Sequence, residues 1–182
     1  MACLLRPGKR DTQENGPRTR VLGWASEASR LLEAWGHKTV IGHVTNSSRR
    51  VFDLDYLVVL RNTKVVVTVN PSRWDGDYRL WEAMASGATV LVDRLHAPLR
   101  GPLVDGQHLV YYDNTNKSDF LSKLWEAVGS RRGGRSARIA IEGRDHVLMH
   151  HRIVTRVDFV LTTLTQPPSE GVDLRVRCAG GS

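Results

Sequence analysis

The sequence has little cysteine and no long apolar run, and these two absences argue against a disulfide-bonded protein and a membrane-spanning one. Its 182 residues include two cysteines, Cys3 and Cys178, which stand near opposite ends at positions that we expect to be mobile. We therefore expect no disulfide, and a reducing, intracellular setting fits best. No apolar run approaches the roughly 20 residues that a membrane helix needs. Because the apolar stretch at the N-terminus is too short for a secretory signal, we predict a cytoplasmic protein without a membrane span.

Motifs that identify several common enzyme classes are also missing. The chain contains no GxSxG, no Walker phosphate loop and no GxGxxG. Their absence argues against an α/β-hydrolase, a P-loop enzyme and a dinucleotide-dependent dehydrogenase. His146, His150 and His151 have the spacing of a metal cluster on a helix, but neither an HExxH pattern nor nearby cysteines accompany them. We therefore predict that no metal or other cofactor is required.

Positive charge exceeds negative charge, with a net charge of +7 and an isoelectric point of about 9.9. Such an excess suits nucleic acid, an anionic membrane or a phosphorylated small ligand as the partner. The densest basic run, Arg131–Arg138, contains no aromatic residue that could stack on a base, and most other basic residues are scattered. We interpret this run as a solvated loop and do not expect nucleic acid as the partner.

One stretch of the chain predicts a strand, a loop, a helix and a second strand. Lys64–Val69 (KVVVTV) is an apolar, β-branched run typical of a buried strand. A polar loop follows and ends at Asp77, a residue type that caps helix N-termini. Helix formers occupy Tyr78–Ser86, and Gly87 follows where a helix C-terminus favours a positive φ. Ala88–Val92 (ATVLV) is then a second buried strand.

This unit places the positive end of a helix at the carboxyl edge of a sheet, where anionic ligands bind in open α/β folds. Arg79 lies in the first turn of the helix, and Glu82 follows three residues later on the same face. An arginine fork suits phosphate, and a carboxylate can accept hydrogen bonds from a ribose diol. The pair is therefore spaced to hold the two polar parts of a nucleoside diphosphate. A surface ion pair between Arg79 and Glu82 is the alternative, and spacing alone leaves it open.

Strand and helix patterns alternate along the rest of the chain. Apolar spacing and capping residues predict a strand stub at Ala2–Leu5, a helix at Arg18–Trp35, a strand at Thr39–Val44, a helix at Asp53–Leu60, a strand at Leu109–Tyr112, a helix at Ser118–Val128 capped by Ser118, and a helical segment over 136–163 broken near His150. Alternating elements imply parallel strands joined by right-handed crossovers. We therefore predict an α/β fold, a Rossmann-like three-layer sandwich with a parallel sheet.

Three pieces of the sequence share a pattern with a known family. The first is Arg79–Glu82 (RLWE), followed by Ala83–Gly87 and an apolar strand. The second is Pro102–Asp113, and the third is the pair His151 and Arg156. Together they resemble the C-terminal, donor-binding half of GT-B glycosyltransferases, in particular the group 1 branch with its spore-maturation-type domains. The resemblance covers residues 20–164 as one domain, with a leader or strand stub at 1–19 and a disordered tail at 165–182.

The resemblance also implies a donor-binding site. Many retaining members carry two glutamates eight positions apart; Glu82 matches the second, and Trp74 stands at the place of the first. Asp75 and Asp77 are nearby acids that could substitute, and Trp74 could stack on a base or sugar ring or belong to the core. We predict donor contacts from Trp74, Gly76, Asp77, Tyr78, Arg79, Glu82 and, beside Lys9 in the loop after the first strand, Arg10. That loop could equally be solvated, and no catalytic residue can be assigned.

By resemblance, the reaction is transfer of a sugar from a nucleotide-sugar to an acceptor hydroxyl, without a required metal. A complete GT-B enzyme binds donor and acceptor between two such domains, and 182 residues have room for one. We therefore expect an accompanying acceptor domain or partner subunit. A nucleotide-binding module without catalysis is the first alternative, and a basic nucleic-acid-binding α/β domain is the second. The sugar, the nucleobase and the acceptor stay open.

Overall fold

A computed structural model of the chain describes residues 1–3, 16–42, 54–70, 77–96, 99, 101–131 and 133–165. Its strands are β1 Ala2–Cys3, β2 Val40–Ile41, β3 Val65–Val67, β4 Thr89–Asp93 and β5 Val110–Tyr112. They form one parallel sheet in the order β2-β1-β3-β4-β5. The predicted parallel pairing of the two most apolar strands is confirmed, because Val66 of β3 lies beside Val90 of β4 in parallel register.

The helices of the described residues are α1 Gly16–Ala34, α2 Leu54–Arg61, α3 Tyr78–Ala85, α4 Lys117–Gly129, α5 Arg135–His150 and α6 Ile153–Thr165. The break expected near His150 is confirmed, since α5 ends there and α6 begins three residues later. The first helix begins at Gly16 rather than at Arg18 and so includes Pro17. Proline is tolerated there because the first turn of a helix has no partner for the N–H that proline lacks.

Side chains alternate between the two faces of the sheet. Val65 and Val67 pack in one apolar cluster with residues of α1 and α4. Val66 and Val90 pack in a second cluster with residues of α2, α3 and α5. Because helices cover both faces, the strands are buried on both sides and carry the continuous apolar runs seen in the sequence. The predicted three-layer α/β sandwich with a parallel sheet is confirmed.

Two expectations from the sequence are wrong. Cys3 does not lie at a mobile end; it is fully buried in β1, between β2 and β3, where a cysteine packs as a small apolar residue. Cys178 lies outside the described residues. Asn116, not Ser118, caps α4, because its side chain accepts a hydrogen bond from the backbone N–H of Asp119. Asparagine caps as well as serine does, and here it stands one residue before the helix begins.

The predicted division into segments 1–19, 20–164 and 165–182 stays a prediction. The strand β1 and the start of α1 fall inside the first segment, and α6 ends at Thr165. Residues 166–182 lie outside the described part of the chain. Within the described part, every helix is too short or too polar to cross a membrane.

The strand order creates a switch point at the carboxyl edge of the sheet. From β1 the chain crosses by way of α1 to β2 on one side, and it later returns to place β3 on the other side of β1. In such sheets the loops after the two strands diverge and leave a crevice that binds ligands. In this protein, α1 follows one of these strands and α3 follows the other, and the two helices begin close together at this edge, where Arg18 pairs with Asp77.

Candidate functional site

Asp77 lies at the N-cap position of α3, at the carboxyl edge of the sheet. Asp77 is therefore the N-cap residue that the sequence predicted, although its side chain accepts no hydrogen bond from the helix amides of the described residues. Its Oδ2 accepts instead from Nη2 of Arg18 at 2.6 Å and from Nη1 of Arg79 at 3.2 Å. A hydrogen bond between two charged groups is stronger than one to a neutral amide, which explains this preference. Asp77 therefore joins two arginines at this edge.

Arg18 lies in the first turn of α1, in the opposite helical layer from α3. Its Nε donates to the carbonyl oxygen of Val69, just beyond β3, at 3.3 Å. The side chain therefore spans the edge of the sheet at the switch point. Arg18 was not predicted as a site residue, because its partner Asp77 is 59 residues away. The signal that could have found it is a basic residue in the first turn of the helix that follows the first strand.

Arg79 is held from a second side by its neighbour Tyr78. The Cζ atom of Arg79 lies 4.9 Å from the centroid of the Tyr78 ring, a favourable position for a cation over an aromatic face. The Arg79 side chain is 14% exposed and that of Asp77 is 9% exposed. Three of the predicted contact residues thus lie together at the start of α3, with their charged groups mostly buried at this edge of the sheet.

Glu82 accepts a hydrogen bond from Tyr56 of α2, with the Tyr56 hydroxyl 2.6 Å from Oε2. Burial raises the pKa of Glu82, and the Tyr56 hydrogen bond and the positive charge of Arg79 oppose that rise. Burial also raises the pKa of Tyr56, so its hydroxyl stays protonated and donates. Among the described residues, no ion pair joins Glu82 to Arg79, and no donor reaches the other carboxylate oxygen, Oε1. Tyr56 was not predicted as a site residue, because it stands 26 residues before its partner.

A second acid, Asp93, is buried at the end of β4 and holds neighbouring strand ends together at the same edge of the sheet. Oδ1 of Asp93 accepts from the backbone N–H of Asn70 at 2.8 Å and from its side-chain amide at 3.0 Å. Oδ2 accepts from the side-chain amide of Asn114 at 2.9 Å. Burial raises the pKa of Asp93, and these hydrogen bonds work against the rise. The cluster ties the ends of β3, β4 and β5 together, and no local sequence pattern indicated it.

Trp81 connects α3 to the last two helices. Its ring stacks on that of His151 with the centroids 4.5 Å apart, and Cζ of Arg156 lies 4.8 Å from the centroid of the Trp81 ring. Nε2 of His151 lies 2.9 Å from the carbonyl oxygen of Gly101; because a carbonyl only accepts, Nε2 carries the proton. Burial lowers the pKa of His151, which favours the neutral ring. His151 and Arg156, which the resemblance singled out, therefore support the helix that carries Arg79 and Glu82.

The histidines form a packed cluster. Nε2 of His146 also donates to the Gly101 carbonyl oxygen, at 3.1 Å, and the ring of His108 stacks on that of His146 with the centroids 4.0 Å apart. Nδ1 of His108 accepts from the backbone N–H of Val104 at 3.1 Å. Across the described residues, no group of histidine, cysteine and acidic side chains is arranged to hold a metal ion. The rings serve instead to pack α5 against the loop before β5.

Part of the predicted site is not covered by the structure. The predicted residues outside the described ranges are Arg10, Trp74 and Gly76, together with Lys9 and Asp75. Their contacts with a donor stay predictions. His96, three residues after β4, is described and exposed.

Comparison with known proteins agrees with this fold. A family model described as glycosyl transferase-like matches residues 4–162. No curated protein matches the chain. Among solved structures, the C-terminal domain of a group 1 family glycosyl transferase (LpcC) from Francisella tularensis superposes with a TM-score of 0.52 and 19% sequence identity. The superposition covers 84% of this chain and 85% of that one, so the two share a fold over most of their length.

Proposed function

Because the chain belongs to the glycosyl transferase-like family, we propose that it is the donor-binding domain of a glycosyltransferase. The domain binds a nucleotide-sugar and contributes to transfer of the sugar to an acceptor hydroxyl. The observation that supports this most directly is the clustering of Arg79, Arg18 and the N-terminus of α3 at the switch point of a parallel sheet. Positive groups at that place suit the diphosphate of an activated sugar.

Glu82 provides the second half of the donor contact. It lies one helical turn beyond Arg79, and the Tyr56 hydroxyl holds its Oε2 at 2.6 Å. In this proposal, the remaining oxygen, Oε1, accepts hydrogen bonds from the ribose hydroxyls while the arginines hold the phosphates. A single helix thus positions both polar parts of the nucleotide, and holding a substrate in one geometry supplies much of an enzyme's rate.

The chemistry that these residues support is stabilisation of the leaving group. When the bond between the sugar and the diphosphate breaks, negative charge grows on the phosphate oxygens. Arg79, Arg18 and the amides at the start of α3 are fixed near that charge and stabilise it without reorganising. The acceptor and its general base come, in this proposal, from a second domain or a partner subunit. A location in the cytoplasm also remains a prediction.

Titration calorimetry with uridine, guanosine and adenosine diphosphates tests the donor site. We expect at least one to bind below millimolar, and Glu82→Gln to weaken that binding by about 1–3 kcal/mol because a charged acceptor is lost. The matched control is Glu126→Gln, which removes the same charge from an exposed glutamate of α4 that pairs with Arg135. Arg79→Gln should weaken nucleoside diphosphate binding by a similar free energy, and Arg135→Gln is its control.

Two results would reject the assignment. If no nucleoside diphosphate binds below millimolar, or if Glu82→Gln behaves like Glu126→Gln, α3 does not carry a donor site. Binding that is normal while no transfer occurs after the acceptor domain or partner is supplied would instead favour the alternative of a nucleotide-binding module. Binding of a random-sequence oligonucleotide in preference to every mononucleotide would favour the nucleic-acid alternative.

A further inference from the structure

The carboxylate of Asp77 is bound to the two arginines that supply the positive charge of the proposed donor site. A single oxygen, Oδ2, receives both guanidinium groups, from Arg18 at 2.6 Å and from Arg79 at 3.2 Å. The Asp77 side chain is 9% exposed, so its charge is largely withdrawn from water. Charged groups that are this buried are normally paired, and the two arginines are the partners of this one.

We propose that Asp77 acts as an internal anion that holds Arg18 and Arg79 together in the empty site, and that the donor diphosphate displaces it. This inference rests on the proposed function, because it assigns Asp77 a role at the same site. It also revises the predicted role of Asp77, from a residue that binds the donor to one that competes with it.

Displacement follows from the charges. A diphosphate that reaches the two guanidinium groups brings negative oxygens close to the Asp77 carboxylate, and like charges at such distances repel. The diphosphate offers several acceptor oxygens, whereas Asp77 satisfies both arginines with one. Arginine forks bind phosphate through parallel hydrogen bonds, so the exchange increases the number of charge-assisted contacts.

The side chain of Asp77 can leave without breaking the helix. It accepts no hydrogen bond from the α3 amides in the described structure, so its rotation breaks no hydrogen bond to the helix. The same amides then face the incoming phosphate. Both arginines keep a second contact after the exchange, since Nε of Arg18 donates to the Val69 carbonyl and Arg79 lies over the Tyr78 ring. The positive groups therefore stay in place while their counter-ion changes.

The competition has a consequence for turnover. Every diphosphate that binds must replace an existing ion pair, so the site holds nucleoside diphosphates less tightly than two bare arginines would. A glycosyltransferase releases a nucleoside diphosphate as its product. Asp77 would return to the arginines as the product leaves, which favours release and keeps the empty site ordered.

The test compares Asp77→Asn with three other proteins in titrations with pyrophosphate and with uridine, guanosine and adenosine diphosphates. Asparagine keeps the shape and the helix preference of aspartate but lacks its charge. The comparison proteins are wild type, Asp77→Glu, which keeps the charge, and Asp158→Asn, which removes a charge from an exposed position on α6. We expect Asp77→Asn to bind about five- to thirtyfold more tightly, and the two controls to bind like wild type.

Thermal unfolding gives a second readout. Without ligand, Asp77→Asn should melt at a lower temperature than Asp158→Asn, because two part-buried arginines lose their counter-ion. Pyrophosphate should raise the melting temperature of Asp77→Asn more than that of wild type, since it restores an anion that wild type already has. Should asparagine prevent folding, Asp77→Ser repeats the comparison with another uncharged helix-capping residue.

The outcomes separate this inference from the proposed function. If wild type binds a nucleoside diphosphate and Asp77→Asn binds it equally or more weakly, the internal-anion role is wrong and the donor site stands. If Asp77→Asn gains affinity for pyrophosphate while no protein prefers a nucleoside diphosphate, the internal-anion role stands and the donor assignment fails. If neither protein binds any of these anions, both are wrong.

Discussion

Replacing Tyr56 by phenylalanine removes one hydroxyl and tests how Glu82 is held. The hydroxyl donates to Oε2 at 2.6 Å, and the carboxylate is about half buried. A hydrogen bond to a charged group contributes about 1.5–3 kcal/mol. Because water reaches Glu82 and weakens the interaction, we expect a loss at or just below that range, about 1–1.5 kcal/mol of unfolding free energy. Phenylalanine fills the same space as the tyrosine ring, so the core around α2 stays packed.

The same substitution should change the acid response of the site. The Tyr56 hydrogen bond lowers the pKa of Glu82, whereas burial raises it. Without the hydroxyl, the pKa of Glu82 rises further and the carboxylate takes up a proton at a higher pH. Because only the ionised carboxylate is a charged acceptor for ribose, nucleoside diphosphate binding should begin to fail at a higher pH in Tyr56→Phe than in wild type.

A double-mutant cycle assigns these effects to the pair. Urea unfolding and calorimetry are measured for wild type, Tyr56→Phe, Glu82→Gln and the double variant. We expect a coupling of about 1 kcal/mol between the two positions, because each single variant already loses their shared hydrogen bond. Additive effects on stability, or an unchanged pH dependence of binding in Tyr56→Phe, would show that Tyr56 does not hold Glu82.

Two further predictions concern the helices behind the site. Gly143→Ala should lower the free energy of unfolding by roughly 2–4 kcal/mol, because a Cβ there would lie 2.1 Å from the backbone oxygen of His108; Gly23→Ala, with open space around it, is the control and should be neutral or slightly stabilising in urea unfolding. Acid should destabilise the fold through His108 and His151, whose pKa values burial lowers. The unfolded chain then binds protons more readily than the folded one, so stability is full above the ordinary histidine pKa and falls as the pH drops through it. The charge of Arg156 and the nearby rings of His146 and His150 also lower the pKa of His151, and the carboxylate of Glu142 opposes the lowering of the pKa of His108. Urea unfolding at neutral and mildly acidic pH checks this, and equal stability at both would contradict it.

Local sequence patterns determined the elements of this protein. The β-branched runs that became β3 and β4 are long enough and apolar enough to form only buried strands, and the helix between them has a clear end at Gly87, with a φ of 82°. Their order along the chain led directly to a parallel sheet with helices on both faces. The spacing of Arg79 and Glu82 placed them one turn apart, because helix geometry relates residues three positions apart without reference to the rest of the fold.

Sequence patterns do not resolve where each helix or strand begins, because neighbouring residues can compete for the same position. Asn116 and Ser118 are both good capping residues, and only the start of α4 at Lys117 decided between them. Cys3 stands near the N-terminus, yet the two-residue strand β1 lies inside the sheet because β2 and β3 pair with it on either side. A residue near the end of a chain can therefore be fully buried when its strand pairs with strands that are distant in sequence.

The partners of the site residues were decided by tertiary structure alone. Arg18 and Asp77 are 59 residues apart, and Tyr56 and Glu82 are 26 apart, yet each pair is joined by a hydrogen bond of 2.6 Å. These contacts arise because the strand order brings the start of α1 and the start of α3 to one edge of the sheet and lays α2 beside α3. A sequence pattern predicts periodicity within an element, but which elements meet depends on packing of the whole sheet. The sequence therefore determined which residue types stand at the start of α3, and the fold decided that Asp77 pairs with both Arg18 and Arg79.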